Sequence, residues 1–261
     1  MGLLSNRIDR SSLKAGDHIY SWRAYVYAHH GIYIGDNKVI HFTRGRGQEV
    51  GTGTVLDVLL VSSEPKRSEV PCPACAYNQE GHGVVSSCLE CFLAGGVVYR
   101  FEYSVTPPLF LAKARGGTCT LAGTDPDETV IHRATYLLNN GFGCYNLFKN
   151  NCEDFAIYCK TGLLVVNQGT SITRSGQAVS FVSGPLAAVL SSPLRLVTTN
   201  IYGMTATAIG VYCASRWAAD IGTRRDVVKL EVEELTASLP ISVAQVVNAS
   251  AHALVAPPVH C

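Results

Sequence analysis

The segment HHGIYIGDNKVIH, residues 29–41, decides how this chain folds. It is rich in aromatic and β-branched residues on both sides of the cluster Gly35-Asp36-Asn37. Such a composition, interrupted by turn-forming residues, predicts two antiparallel strands joined as a hairpin. The preceding segment GDHIYSW, residues 16–22, has the composition of a further strand. The sequence therefore predicts an antiparallel sheet whose hairpin carries three histidines.

The pairing register of this hairpin determines which histidine lies beside His41. Successive side chains of a strand point to opposite faces, so His29 and His30 are on different sides of the sheet. A three-residue turn, 35–37, pairs His41 with Gly31 and places His29 and His41 on one face, whereas a two-residue turn selects His30. Gly31 leaves room for two imidazoles side by side, which favours His29.

A helix is predicted from the segment CEDFAIYCKTG, residues 152–162. Four residues recur at the i, i+3, i+4, i+7 spacing of a core-facing stripe, and Gly162 ends the helix. The first of them is a thiol in the first turn, where unpaired N–H groups and the helix dipole favour a thiolate and can bind an oxyanion. Most buried cysteines only pack, so this stretch alone leaves the role of Cys152 open. The four residues are Cys152, Phe155, Ala156 and Cys159.

The remaining elements complete an α+β pattern. TDPDETVIHRATYLLNNG, residues 124–141, has capping residues and early acids that predict a second helix, and VVYRFEYSV, residues 97–105, predicts a strand. The order of strands and helices predicts an antiparallel sheet packed with helices over residues 10–165.

The histidine segment, followed about 110 residues later by NNCEDF, resembles the lecithin:retinol acyltransferase family. This family is a branch of the NlpC-type, circularly permuted papain-like superfamily. Its pattern is H-[WY]-[AG]-I-Y-hydrophobic-G-D, a second histidine twelve residues after the first, and N-C-E-[HD]-F. His30 occupies the usual aromatic position, and Asp154 stands where many members have a histidine, a departure on the helix surface that does not affect the triad.

The resemblance implies a thiol-dependent acyl transfer at three residues. Cys152 falls on the family's nucleophile, His29 on its base and His41 on its orienting histidine. The thiolate would attack an ester or thioester carbonyl and form an acyl-enzyme, with the backbone N–H of Cys152 as one oxyanion donor. Tyr27, on the face of His29, is a candidate second donor, although a tyrosine on a strand is more often a packing residue.

A cysteine insert, residues 71–92, interrupts the domain. It contains two C-x2-C pairs, a spacing that suits a tetrahedral Zn²⁺ with four thiolates. A redox pair or surface thiols are the alternatives. We expect a structural zinc, and no cofactor for catalysis, with the ligands Cys72, Cys75, Cys88 and Cys91.

Composition narrows the setting in which the chain works. Its formal net charge is +1, which provides no general attraction to nucleic acid, and we expect no nucleic-acid partner. The N-terminus MGLLSNRIDR lacks the apolar core of a secretory signal, and ten cysteines in such a chain indicate a reducing compartment. We therefore expect a cytoplasmic protein.

Residues 166–261 form a predicted C-terminal apolar tail. Residues 196–214 carry no charge and are long enough to span a bilayer, but four threonines, an asparagine and two glycines make insertion marginal. The family often has a C-terminal membrane anchor, which favours peripheral membrane association. A helix buried against the domain is the equal alternative.

Three functions are compatible with these motifs. The first is a thiol acyltransferase or hydrolase of lipid or fatty-acyl esters. The second is a cysteine amidase or peptidase of the NlpC type, because the wider superfamily cleaves amide bonds with the same groups. The third is a non-catalytic, zinc-bearing interaction protein, which the presence of all three catalytic residues argues against.

Overall fold

The computed structural model describes residues 6–23, 27–43, 72–75, 83–113, 115–143, 145, 150–165 and 201–238. The strands in these ranges are β1 (His18–Arg23), β2 (Tyr27–Gly35), β3 (Lys38–Thr43), β4 (Gly83–Cys88), β5 (Tyr99–Arg100), β6 (Leu163–Val165) and β7 (Val227–Lys229). The helices are α1 (Leu89–Leu93), α2 (Pro107–Ala112), α3 (Asp127–Asn140), α4 (Cys152–Thr161), α5 (Ile201–Ala219) and α6 (Val232–Ser238).

A five-stranded antiparallel sheet with the order β4-β3-β2-β1-β5 confirms the predicted fold class. The strand predicted over residues 97–105 is reduced to the two residues of β5, which pair with Ile19 and Tyr20. Beyond β5 the backbone bonds instead to residues 118–122, and Ser104 turns it with a φ of 50°. These alternative hydrogen bonds are long-range and could not be inferred from local composition.

The hairpin of β2 and β3 has the predicted pairing, reached by a different turn. Asp36 and Asn37 both have positive φ, 47° and 58°, as in the two-residue type I′ turn. The register then shifts between Tyr33 and Gly35, so that one extra residue of β2 is accommodated in a bulge. The bulge restores the pairing of Gly31 with His41. The expectation of a three-residue turn was wrong, but the predicted pairing of Gly31 with His41 is confirmed.

Helices α3 and α4 pack on one face of the sheet and form the main core. The helix predicted to begin at Cys152 ends at Thr161, and Gly162 follows it with a φ of 68°. Buried residues of β2 and β3, such as Ile32 and Phe42, meet Phe155 and Leu137 in one cluster. The opposite face is covered by α1. Its apolar residues pack on Ile19 of β1 and Val39 of β3; they are Leu89, Phe92 and Leu93.

The described part of the C-terminal region packs onto the domain. β7 pairs with β6, and the buried Val232 and Leu235 of α6 join the core cluster that includes α3 and α4. On α5, Tyr212 and Arg216 are buried, and the Arg216 guanidinium lies 4.7 Å from the ring of Phe110. Among the described residues, no helix is sufficiently long and apolar to cross a membrane.

Candidate active site

Two histidines of the hairpin form a hydrogen-bonded pair. Nε2 of His29 lies 2.9 Å from Nδ1 of His41, and the two rings are nearly perpendicular. The Nε2 of His41 lies 3.0 Å from the hydroxyl of Ser87, which is buried on β4. Burial, with a smaller contribution from the charge of Arg23, lowers the pKa of His41 to about 3. His41 is therefore a neutral imidazole at physiological pH, and it can orient His29 without competing for a proton.

Phe92 of α1 packs against both imidazoles. Its ring centroid is 5.3 Å from that of His29 and 5.4 Å from that of His41. Gly31 makes this possible, because a Cβ there would lie 2.9 Å from Cε2 of Phe92 and 2.8 Å from Cγ1 of Val39. The sequence predicts that the missing side chain of Gly31, opposite His41, leaves room for the His29 imidazole. In the structure, the Phe92 ring also uses this room.

The Cys152 thiol lies against the main chain of β2. Its Sγ is 3.8 Å from the carbonyl oxygen of Ala28, and the backbone N–H of His30 also hydrogen bonds to it. Because these two groups flank His29 in the strand, the sulfur lies beside the β2 backbone at the position of His29. In the described residues, the pairing of β2 with β3 begins at Gly31. The thiol lies beside the part of β2 that precedes Gly31.

Burial dominates the ionisation of Cys152. It raises the pKa of the thiol to about 12, and the nearby carboxyls of Glu153 and Asp154 also raise this pKa. Hydrogen bonds from the His30 N–H and the Tyr145 hydroxyl lower the pKa, but by less. The expectation that the helix N-terminus would favour a thiolate is therefore wrong for this conformation, in which the thiol is neutral.

The helix N-terminus is closed by a capping box. The side-chain oxygen of Asn151 accepts hydrogen bonds from the backbone N–H groups of Glu153 and Asp154, at 2.9 and 3.1 Å. The Asp154 carboxylate in turn accepts from the backbone N–H of Asn151 at 3.0 Å. Asp154, the departure from the family pattern, thus has a structural role. The capping leaves the N–H of Cys152 as the one first-turn donor that these bonds do not use.

Tyr145 is a site residue that sequence reasoning missed. Its hydroxyl hydrogen bonds to the Cys152 thiol, and its ring packs on Phe42 with centroids 5.1 Å apart. The segment CYNLF, residues 144–148, has the composition of a short strand; most of it lies outside the described residues, and Tyr145 itself is not in a strand. Tyr27 is half-buried at the start of β2 and, by alternation, on the face of His29. Tyr145 is the tyrosine with a direct contact to the thiol.

His30 belongs to a second polar chain on the α4 side of the sheet, in which both histidines are buried. Its Nδ1 is 2.9 Å from Nε2 of His18, whose Nδ1 is 2.7 Å from the hydroxyl of Tyr103. Burial lowers the pKa of His30 to about 3 and that of His18 well below its usual value. The sheet thus has two histidine pairs, His29–His41 on the α1 face and His18–His30 on the α4 face, and the pair on the α1 face is the one that the family pattern selects.

A small open cavity of about 40 Å³ lies beside the first turn of α4. Asn150, Glu153 and Ile157 line it together with Arg216 and Asp220. Its lining mixes apolar and charged groups, and Cys152 is not among the lining residues. The cavity therefore does not by itself favour a lipid over a peptide.

The four predicted metal ligands are brought together. All four Sγ atoms lie within 4.8 Å of one another, a cluster that could hold a metal ion. The first C-x2-C pair forms a tight turn closed by the bond from the Cys75 N–H to the Cys72 carbonyl. In the second pair, Cys88 ends β4 and Cys91 lies on α1, so this half of the predicted insert is built into the main sheet.

Comparison with known proteins gives the chain a family. The family model described as lecithin retinol acyltransferase matches residues 11–165, more than half of the chain. This chain belongs to the lecithin retinol acyltransferase family. Protein LEAD-SENSITIVE 1 of Arabidopsis thaliana is 69% identical over 258 residues, which cover 98% of this chain and 99% of the relative. The name of that relative specifies no reaction, so family membership supports acyl transfer or thiol-dependent hydrolysis as a class of chemistry.

The raised pKa of the Cys152 thiol predicts a pH effect on stability. Burial keeps this thiol protonated to about pH 12 in the folded protein, whereas an unfolded cysteine ionises at about pH 8.5 to 9. The native state holds the proton more tightly, so this stabilising contribution is complete below about pH 8.5 and is lost as the pH rises toward 12. Relative to Cys152→Ser, we expect the wild type to lose about 1 kcal/mol of unfolding free energy between pH 8.5 and 10 in urea denaturation. If the unfolding free energies of wild type and Cys152→Ser changed equally with pH, the thiol would not be buried in its neutral form.

Proposed function

We propose that this protein is a thiol acyltransferase or hydrolase of lipid or fatty-acyl esters that works through an acyl-enzyme on Cys152. The observation that carries the proposal is the position of the thiol beside the β2 backbone at His29, the residue whose ring is hydrogen bonded to His41 of β3. Nε2 of His29 is bonded to His41, so the proposal assigns the role of proton acceptor to Nδ1, the other ring nitrogen. This arrangement supports the assignment of Cys152 as nucleophile, His29 as base and His41 as orienting residue.

The reaction proceeds in two acyl-transfer steps. Because burial keeps the thiol neutral, its proton passes to His29 as the sulfur attacks the carbonyl carbon. The oxyanion accepts a hydrogen bond from the backbone N–H of Cys152, and the Tyr145 hydroxyl is the candidate for the second donor. His29 returns the proton to the departing alcohol, leaving a thioester on Cys152. An incoming water, alcohol or amine gives its proton to His29, attacks the thioester and releases the acid, ester or amide together with the restored thiol.

Mass spectrometry tests this acyl-enzyme. Wild-type protein incubated with dihexanoylphosphatidylcholine should gain the mass of one hexanoyl group, mapped to Cys152, and Cys152→Ala should gain none. In His29→Gln the rate of acylation should fall by about 10²- to 10⁴-fold, because the general base is lost.

Two matched variants control for general effects on the fold. Cys213→Ser removes a half-buried thiol of α5, and His132→Gln removes an exposed histidine of α3 whose partner is Glu233. Both should acylate at the wild-type rate. If no adduct forms and no lipid is turned over, the lipid substrate is wrong. The same assay with an acylated dipeptide then tests the amidase alternative.

We propose Zn²⁺ as the ion of the four-cysteine cluster. Four thiolates at mutual distances below 4.8 Å match a closed tetrahedral site, which is typical of structural zinc. The eight described cysteines are all free thiols, as in a protein of a reducing, cytoplasmic setting. The cluster has no place for a substrate, so its proposed role is structural.

Metal analysis distinguishes zinc from a redox pair. Native mass spectrometry should show one zinc per chain, and Co²⁺ exchanged into the site should give the absorption of a tetrahedral thiolate complex. Cys75→Ser should lower zinc occupancy, and Cys213→Ser should not. A metal-free protein with a Cys75–Cys91 disulfide would exclude the zinc proposal; these two sulfurs lie 3.7 Å apart.

We propose a peripheral membrane contact through α5. Arg216 is the only charged residue of this helix and is buried, so the exposed face of α5 carries no charge. Tyr202, Ile209 and Trp217 are prominent on this face. An uncharged face with aromatic residues near its ends suits the boundary of a bilayer, where a lipid-directed enzyme would meet its substrate.

Vesicle flotation tests this contact. Wild-type protein should float with phosphatidylcholine vesicles, and Ile209→Asp should reduce the floated fraction because a carboxylate disfavours apolar insertion. Thr135→Asp, at an exposed position of α3, should have no effect. Equal flotation of wild type and Ile209→Asp would exclude α5 as the contact.

A further inference from the structure

The two residues that hold the His29–His41 pair from the α1 side are each adjacent in sequence to a cysteine of the cluster. Ser87, whose hydroxyl is 3.0 Å from Nε2 of His41, precedes Cys88. Phe92, whose ring packs on both imidazoles, follows Cys91. Both residues are about 1% exposed, so the contacts are made in a closed interior.

The element that carries these contacts is too short to be stable alone. α1 has five residues, fewer than an isolated helix needs. Its first residue, Leu89, donates its backbone N–H to the Asn37 carbonyl of the hairpin turn at 2.8 Å. At its other end the buried guanidinium of Arg23 donates to the carbonyls of Phe92 and Leu93. Cys88 is its N-cap, and Cys91 lies within it.

We infer that the four-cysteine cluster, when it binds a metal ion, is a clamp that positions Ser87 and Phe92 against the His41–His29 pair. Metal occupancy would then determine whether the base beside Cys152 is correctly oriented. The inference rests on the proposed thiol function and adds its regulation. A bound ion joins Cys88 and Cys91 to the first C-x2-C pair and so holds both ends of the β4–α1 junction.

The clamp has a chemical consequence through the tautomer of His41. If His41 donates its Nε2–H to the Ser87 oxygen, its Nδ1 accepts from Nε2–H of His29. His29 is then the tautomer with an unprotonated Nδ1, the form that the proposed base requires. In the opposite tautomer, His41 donates its Nδ1–H to Nε2 of His29. The proton of His29 then lies on Nδ1, and Nδ1 cannot accept the thiol proton. Ser87 is thus a positioning residue that acts through His41.

Variants of Ser87 test the positioning role while leaving the four cysteines intact. Ser87→Ala should lower kcat for deacylation of the acyl-enzyme about tenfold with KM changed less than about twofold, and Ser87→Thr should recover most of the loss. Ser86→Ala is the matched control, because Ser86 is the neighbouring residue of β4 on the opposite face. Zinc content should be the same in all three variants.

Metal removal tests the clamp with a readout that does not need activity. In ¹⁵N-labelled protein, long-range imidazole spectra should show one His41 tautomer, protonated at Nε2, in the zinc-loaded form. Chelation should give a mixture of tautomers and faster amide exchange over residues 84–93, while exchange over α4 is unchanged. Restoring Zn²⁺ should restore both signals, and Cys213→Ser should behave as wild type.

The outcomes separate this inference from the proposed function. A single His41 tautomer and unchanged exchange in the metal-free protein would overturn the clamp, even if the enzyme forms an acyl-enzyme. A tautomer mixture on metal removal in a protein that never acylates would support the clamp and refute the acyl chemistry. If chelation unfolds the whole chain, the zinc-loaded Ser87→Ala spectrum decides: a single tautomer there overturns the inference.

Discussion

The pairing of Gly31 with His41 is the constraint on which the rest of the site depends. A shift of one residue in this hairpin would move every side chain of β3 to the other face of the sheet. The two-residue turn alone would produce that shift, and the bulge between Tyr33 and Gly35 compensates for it. The compensation places His41 beside His29, Ser87 and Phe92, and leaves His30 to a separate buried chain on the other face.

The thiol illustrates a competition between two physical effects. A helix N-terminus stabilises a thiolate by its dipole and unpaired N–H groups, but removal from water disfavours any charge. At Cys152, which is 1% exposed, burial is the larger effect, and the capping by Asn151 takes two of the N–H groups that would otherwise stabilise the anion. In the proposed mechanism, therefore, the thiol proton passes to His29 during attack, and no preformed thiolate is needed.

Segments that are distant in sequence complete the domain. The C-x2-C pairs meet around the end of β4 and the start of α1, and α6 contributes to the core of α3 and α4 from more than 70 residues beyond Thr161. Ser87 and Phe92, which contact the histidine pair, each adjoin a cysteine of the cluster, so the cluster lies close to the candidate site. In the described residues, the chain after β6 contacts the domain through α5, β7 and α6.

The sequence by itself determined the α+β class, the hairpin, the helix that begins at Cys152 and the cysteine set, because these follow from local periodicity, turn residues and short spacings. It also predicted the correct partner of His41, although through the wrong turn. Only the tertiary structure decided the bulge, the two-residue length of β5, the contact of Tyr145 with the thiol and the neutral state of Cys152. Each of these depends on long-range hydrogen bonds or on burial, and neither is set by a residue's neighbours in the chain.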